Sequence, residues 1–324
     1  MPIYAKTQSQ DEKNILNLKH KLPNNIIWLD LFNVTDQEER TLEQCLNIDI
    51  PTFQETKDIP ISNRLYEKDH STYSTISLYL DNQDAKNHLD LYTITFILKN
   101  NLLITIRDDL SMFFYIESSL IHAKYSLVEK MHLRIFLILI ESFINNSASL
   151  LENIAHNLNQ QSTKLLGNTQ KPNMQYKNLL TDVANIGNSL TLIQESITSF
   201  IRMIDFLAKT DQMNQSNEAF IKYIKVFTRD LGALKDQSSS LASKVSFLLD
   251  ATLGLINIEQ NNIIKLFSVI SVISTPPILI ASIYGMNFRS IPELNWPFGY
   301  SWALVLMFIS AWLPYKYFKK KGWF

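Results

Sequence analysis

The chain has 324 residues, room for two domains and a sizeable core, with 19% charged residues and a net charge of −1. That balance excludes a strongly basic nucleic-acid binder and a disordered acidic chain. A single cysteine, Cys45, excludes a disulfide framework and a cysteine-based zinc site.

The charge is unevenly spread. From Lys265 onward there are six basic residues (Lys265, Arg289, Lys316, Lys319, Lys320 and Lys321) and one acid, Glu293. The first 264 residues hold 24 basic and 30 acidic side chains, a net of −6. An acidic amino-terminal body on a basic carboxy-terminal tail fits a soluble domain attached to a membrane. The opening MPIYAKTQSQDEKN lacks the apolar stretch of a signal peptide, so the body is expected in the cytoplasm.

In chain order, residues 1–125 are expected to form an α/β domain. Asn25 to Asp108 read as strands and short helices: IIWLDLF is β-like and DQEERTLEQCL helical. The runs STYSTISLYL, LYTITFIL and NLLITIRD are β-branched segments between polar turns, which predicts a small sheet. From Ser126 glycine is scarce and apolar residues recur at helical spacing as far as Thr210. Residues 126–215 therefore read as two long paired helices, separated at Gly167 to Pro172. A third helix is predicted over 216–284. It begins after the polar break TDQMNQS, meets no strong breaker before Pro276, and would be about 100 Å long. Such a helix is stable only when packed against others, so it reads as a stalk within a bundle.

The end of the stalk helix enters a membrane on this reading. Leu266 to Phe288 contains no charged residue, and Leu266 to Met286 would make a helix of about 31 Å, close to the hydrocarbon thickness. A second uncharged run covers Leu294 to Tyr315. It opens on Trp296, Phe298, Tyr300 and Trp302 and closes on Trp312, Tyr315 and Tyr317, as interfacial belts do. Lysines flank the start of the first run and the end of the second, which puts both on the cytoplasmic side. The plan is thus an external loop at 285–299, a second span at 300–318 and a basic cytoplasmic tail at 319–324.

The first span is more polar than an anchor requires. Stepping back from Gly285 in threes and fours gives Ser282, Ile278, Thr275, Ser271, Ser268, Ile264, Asn261, Asn257, Gly254 and Asp250. This 3.5-residue period is sustained for about five heptads, and its positions, nearly all small or polar, share one helix face. Two readings stand: close helix packing in lipid, or the wall of a water-filled path. The carboxylate and the two amides favour the path. One hairpin cannot enclose a pore, so a path requires several copies around an axis. Pro276 and Pro277 free the carbonyls of Val272 and Ile273 and bend the helix, as a hinge or as a passive kink.

Nucleotide loops (GxxxxGK[ST], GxGxxG) and the GxSxG elbow are absent. The histidines at 20, 70, 88, 122, 132 and 156 show no metal-ligand spacing, and HLDLY around His88 reads as an ordinary strand approach. No motif supports an enzyme.

YGMNF at 284–288 and IPEL at 291–294 resemble the signature of the CorA family of magnesium transporters. The stretch from Leu255 to Tyr300 is similar to the proteobacterial branch in particular, and NNIIWLDLFNVTDQEER resembles the family's first strand and helix. The resemblance implies a homopentameric channel. Its cytoplasmic domain is α+β, an α/β/α sandwich, with a very long stalk helix and two carboxy-terminal transmembrane helices. It implies a ring of Gly285, Met286 and Asn287 at the outer mouth, where Asn287 holds a hydrated ion. It also implies pore-facing positions at Asp250, Asn261, Ile264, Phe267, Thr275 and Ile278. With Asp250 as a further metal contact, all of these but Phe267 fall on the stripe.

Function follows as an expectation: uptake of Mg²⁺, with Co²⁺ and Ni²⁺ as secondary ions, across the bacterial inner membrane, both termini cytoplasmic. Mg²⁺ would be both substrate and regulatory ligand, bound between cytoplasmic domains by carboxylates that similarity does not identify. No covalent cofactor, enzymatic activity or nucleic-acid partner is expected. The chain departs from the family at Ile278, where a threonine usually follows the proline pair, and at Ile291, where methionine is common. It departs again at Arg289, often acidic, which beside Glu293 neutralises the external loop. Alternatives are a Zn²⁺ transporter of the ZntB type and a membrane cation sensor that no longer conducts.

Overall fold

A computed structural model describes residues 4–7, 10–15, 26–32, 36–52, 55–56, 59–60, 63–80, 91–107, 125, 127–167, 174–210, 218–287 and 292–323. The segment around His88 and Arg289 in the external loop lie outside the described residues. The chain divides into two compact units, Met1–Gly167 with Thr181–Leu248, and Asn168–Leu180 with Leu249–Phe324.

The first unit is built on a sheet of β1 (Tyr4–Thr7), β2 (Gln10–Ile15), β3 (Ile26–Phe32), β4 (Leu65–Lys68), β5 (Ser71–Tyr79), β6 (Leu91–Lys99) and β7 (Leu102–Arg107). Their spatial order is β2-β1-β3-β7-β6-β5-β4. Among the described residues, only β3 and β7 run parallel. The hairpin β4–β5 turns at Asp69 and His70, with φ of 50° and 57°, the two left-handed residues a two-residue hairpin turn needs.

Strand alternation sorts the side chains. Leu29, Ile104, Ile97 and Tyr73 lie in one row across β3, β7, β6 and β5, and helix α1 (Asp36–Leu46) covers that face through Leu42. Asp30, Thr105, Phe96 and Ser74 form the row on the opposite face. Helix α2 (Met131–Gly167) covers it, with Phe136 edge-on to Phe96 at 5.4 Å. Two helical layers on a mixed sheet give the α/β/α arrangement that the resemblance implies.

Asp30 and Thr105 of the second row are hydrogen-bonded internally, whereas the buried Ser74 hydroxyl finds no partner among the described residues. Trp28 Nε1 donates to Thr105 Oγ1 at 3.1 Å, Thr105 donates to Asp30 Oδ1 at 2.7 Å, and Arg107 Nε reaches Asp30 Oδ2 at 2.9 Å. Burial pushes the Asp30 carboxyl up, while the Arg107 charge and the Thr105 hydroxyl push it back down.

Helix α3 (Met174–Leu207) closes the sheet edge. β4 pairs with β5 only as far as Ser74. Beyond it, the N–H of Ser77 donates to Ser199 Oγ and that of Tyr79 to Ser196 Oγ, at 3.1 and 2.7 Å. Two helix hydroxyls therefore do the work of a missing strand.

Helix α4 runs unbroken from Glu218 to Tyr284, through Pro276 and Pro277. Its amino-terminal half joins the first unit's core through Phe220, Phe227, Leu231 and Leu248. A short 3₁₀ turn (Pro292–Asn295) and helix α5 (Gly299–Lys320) follow. Among the described residues, two helices are both long and apolar enough to cross a membrane, α2 and α4. In its most apolar stretch α2 is 56% buried, as a core helix is, whereas α4 is 6% buried. The expected second span corresponds to α5, which begins and ends several residues later than the uncharged run and takes Lys316, Lys319 and Lys320 into its last turns.

Candidate functional site

The exposed half of α4 decides where a site can be. At about 100° per residue, Val269, Ile273, Pro276, Ile280 and Tyr284 fall on one side of the helix. Val269 is 1% exposed and the others are half-buried. Asp250, Gly254, Asn257, Asn261, Ile264, Ser268, Ser271, Thr275, Ile278, Ser282 and Gly285 lie away from that side, Gly254 and Asn261 nearest to it, and are all exposed. Phe267 sits on the flank of that row, also exposed. The stripe is open along its length, but so are apolar residues on the other side of the helix, such as Ile258, Leu266 and Ile283.

Two hydroxyls on this face are oriented by the helix. Ser268 Oγ donates to the carbonyl of Ile264 at 2.8 Å, and Thr275 Oγ1 to that of Ser271 at 2.6 Å. With the hydrogen committed inward, the oxygen lone pairs are left for partners outside the helix.

The helix ends in two tight turns. Gly285 N–H donates to Ala281 O at 3.0 Å and to Ser282 O at 3.2 Å, and Met286 N–H to Ile283 O at 3.2 Å. A Cβ on Gly285 would lie 3.2 Å from the Ala281 carbonyl. That contact is tight enough that the turn would have to give by a few tenths of an ångström, and the φ of Gly285 is not left-handed. Gly285, Met286 and Asn287 are all exposed at the helix end.

Behind this end lies a cavity of about 460 Å³, lined by Tyr284, Gly285, Glu293, Trp296, Tyr300 and Met307 among others. Its floor depends on a residue to which spacing assigns no role, Gly299. A Cβ there would stand 2.2 Å from the Glu293 carbonyl oxygen. The sequence signal is slight: a glycine at the first position of a helix, two residues after Pro297.

No group of three or more His, Cys, Asp and Glu side chains capable of holding a metal ion occurs among the described residues. What α4 offers is a row of neutral oxygens and amides with one carboxylate, Asp250. Such a row suits weak, repeated contact with a hydrated cation rather than tight chelation.

The family described as CorA-like Mg2+ transporter protein matches residues 23–320. The magnesium transport protein CorA of Pasteurella multocida is 33% identical over 302 residues, covering 93% of this chain and 92% of its own. That of Escherichia coli K12 is 32% identical over 299 residues, covering 92% of each. Among solved structures, the CorA magnesium transporter of Methanocaldococcus jannaschii superposes with a TM-score of 0.76 at 20% identity, covering 100% of this chain and 99% of that one. The ZntB cytoplasmic domain of Vibrio parahaemolyticus shares the fold at a TM-score of 0.56, with 13% identity over 78% of this chain and 98% of its own. The chain belongs to the CorA family of Mg²⁺ transporters.

Proposed function

We propose that this protein is a Mg²⁺ uptake channel in which several copies, five by resemblance, bring the open faces of α4 together around a central path. The observation that carries the reading is the row of mostly small and polar residues, all exposed, from Asp250 to Gly285, ending in Gly285-Met286-Asn287. The end of α4 and α5 are the two spans, with both termini on the cytoplasmic side of a bacterial inner membrane.

The physics of the mouth follows from the ion. Mg²⁺ gives up its water reluctantly and prefers oxygen in octahedral geometry. A ring of Asn287 amides and backbone carbonyls hydrogen-bonds the water shell without stripping it, weakly enough for the ion to move on. Water bound to a cation points its hydrogens outward, so acceptors are needed further along. Ser268 and Thr275, with their hydrogens turned into the helix, supply acceptors. Thr275 thereby serves as the hydroxyl ring, standing in for Ile278. The membrane potential contributes about 4.6 kcal/mol per 100 mV for a divalent ion. Co²⁺ and Ni²⁺, of similar hydration, are carried as secondary ions, and cytoplasmic Mg²⁺ bound by carboxylates of the acidic body closes the path.

The test is ion entry into proteoliposomes under an inside-negative potential, with Mg²⁺ and Zn²⁺ as parallel substrates. Mg²⁺ entry that follows the potential supports the reading. Zn²⁺ entry that instead follows a pH gradient overturns it in favour of a zinc transporter, and no entry of either ion from a folded oligomer leaves a sensor.

A further inference from the structure

The carboxy-terminal end of α5 carries a repeated arrangement that ion conduction does not use. Lys316 Nζ lies 4.8 Å from the centre of the Trp312 ring, Lys319 Nζ 5.9 Å from Tyr315 and Lys321 Nζ 5.2 Å from Tyr317. Each pair is spaced four residues apart, so each ammonium stands about 6 Å further along the helix than its ring. A fourth pair crosses between elements: Lys265 Nζ of α4 lies 5.0 Å from the ring of Trp323, which follows α5. The collar therefore belongs to both helices. From Lys265 to Phe324 the one acidic side chain is Glu293, before the opposite end of α5. Immediately inward of the rings, Phe308, Ile309 and Leu313 are exposed apolar side chains.

We infer that this collar binds the phosphate of anionic phospholipid headgroups. Each part of the geometry matches one layer of a bilayer surface. Exposed aliphatic and aromatic side chains meet acyl chains, the Trp and Tyr rings sit at the interfacial belt, and the ammoniums one turn beyond reach phosphate depth. A lysine resting on a ring face keeps its remaining N–H donors for phosphate oxygens. Basic clusters at the cytoplasmic end of membrane helices attract anionic lipid by about 1 kcal/mol per lysine, and no acidic side chain is interspersed among the lysines from Lys316 to Lys321. Because Lys265 and Trp323 join α4 to the chain after α5, a lipid held there ties the base of the proposed pore helix to its outer neighbour. The inference rests on reading the two helices as membrane spans and not on which ion is carried.

The test is native mass spectrometry of the detergent-purified protein with equal amounts of phosphatidylglycerol and phosphatidylcholine. Wild type is expected to retain phosphatidylglycerol about tenfold more. K316Q/K319Q/K320Q/K321Q is expected to fall to parity, and the matching arginine variant to keep the preference. Parity in wild type, or an unchanged preference in the glutamine variant, overturns the inference. Should the glutamine variant fail to assemble, W312L/Y315L keeps every charge and is expected to lower the preference about threefold. No change there overturns the paired ring-and-lysine site. A protein that shows the lipid preference but passes no Mg²⁺ overturns the transport reading alone, and one that passes Mg²⁺ with lipid parity overturns this inference alone.

Discussion

Thr275 donates its hydroxyl hydrogen to the carbonyl oxygen of Ser271 at 2.6 Å, one turn back along α4 and directly before Pro276 and Pro277. The bond fixes the hydroxyl just where the prolines remove two helical donors. Replacing Thr275 with Val keeps the shape and removes the outward acceptor. Mg²⁺ entry is expected to fall about fivefold, equivalent to ~1 kcal/mol for one lost hydrogen-bonding group, while Thr275→Ser stays near wild type. The check is initial flux at matched protein in the vesicles. Equal flux in the valine variant would show that this hydroxyl is not on the path.

The cavity behind the outer mouth makes a second prediction. Gly299→Ala places a methyl 2.2 Å from the Glu293 carbonyl oxygen, against backbone that cannot swing aside as a side chain could. The turn from Pro292 to Asn295 must shift, at a cost of about 1–3 kcal/mol. A lower melting temperature in detergent and reduced Mg²⁺ entry are expected together, whereas Gly254→Ala, whose added carbon meets nothing within 4 Å, should leave stability unchanged.

The buried pair in the first unit predicts an asymmetry. Asp30 and Arg107 are both wholly shielded. Arg107→Met strands a buried carboxylate and should cost about 3–5 kcal/mol, whereas Asp30→Leu with Arg107→Met should recover at least half of that. Thermal unfolding of the three proteins measures it. Equal losses in the single and double variants would mean that packing, not charge, sets the cost.

His132 makes stability depend on pH. The ring is 1% exposed, and burial, assisted by the Lys130 charge, lowers its pKa to about 4 from the ordinary 6.5. A histidine lowered in the folded state is protonated preferentially in the unfolded one. Its contribution is complete above pH 6.5 and is lost as pH falls toward 4, on the order of 3 kcal/mol in all. His132→Phe should flatten the melting temperature against pH across that window, and an unchanged slope would assign the loss to other groups.

Much of this was legible in the sequence because strong periodicities leave little choice. The β-branched runs became β5, β6 and β7, and the helical spacing became α2, α3 and α4, with α4 starting within two residues of the expected point. The small-residue stripe is exposed along its length, and because a 3.5-residue period drifts about 20° per heptad on a 3.6-residue helix, it winds slowly around α4. β1 and β2 were not legible: QDEKNI has no apolar alternation, and β2 exists by pairing with β1, which in turn pairs with β3. Nor was Asp30, an acid within IIWLDLF whose partner, Arg107, stands 77 positions away. Gly299 escaped for a similar reason, since its necessity lies in a carbonyl six residues earlier that only the folded turn brings near.

The central claim is that cations enter past Asn287 at the exposed end of α4. The most direct measurement is Mg²⁺ entry into proteoliposomes under an inside-negative potential, comparing wild type with Asn287→Ala at equal oligomer content. The account predicts potential-driven entry in wild type and its loss, by about tenfold or more, when the amide ring is removed. Entry of equal rate in both proteins would contradict it, and would move the point of ion selection away from Gly285-Met286-Asn287.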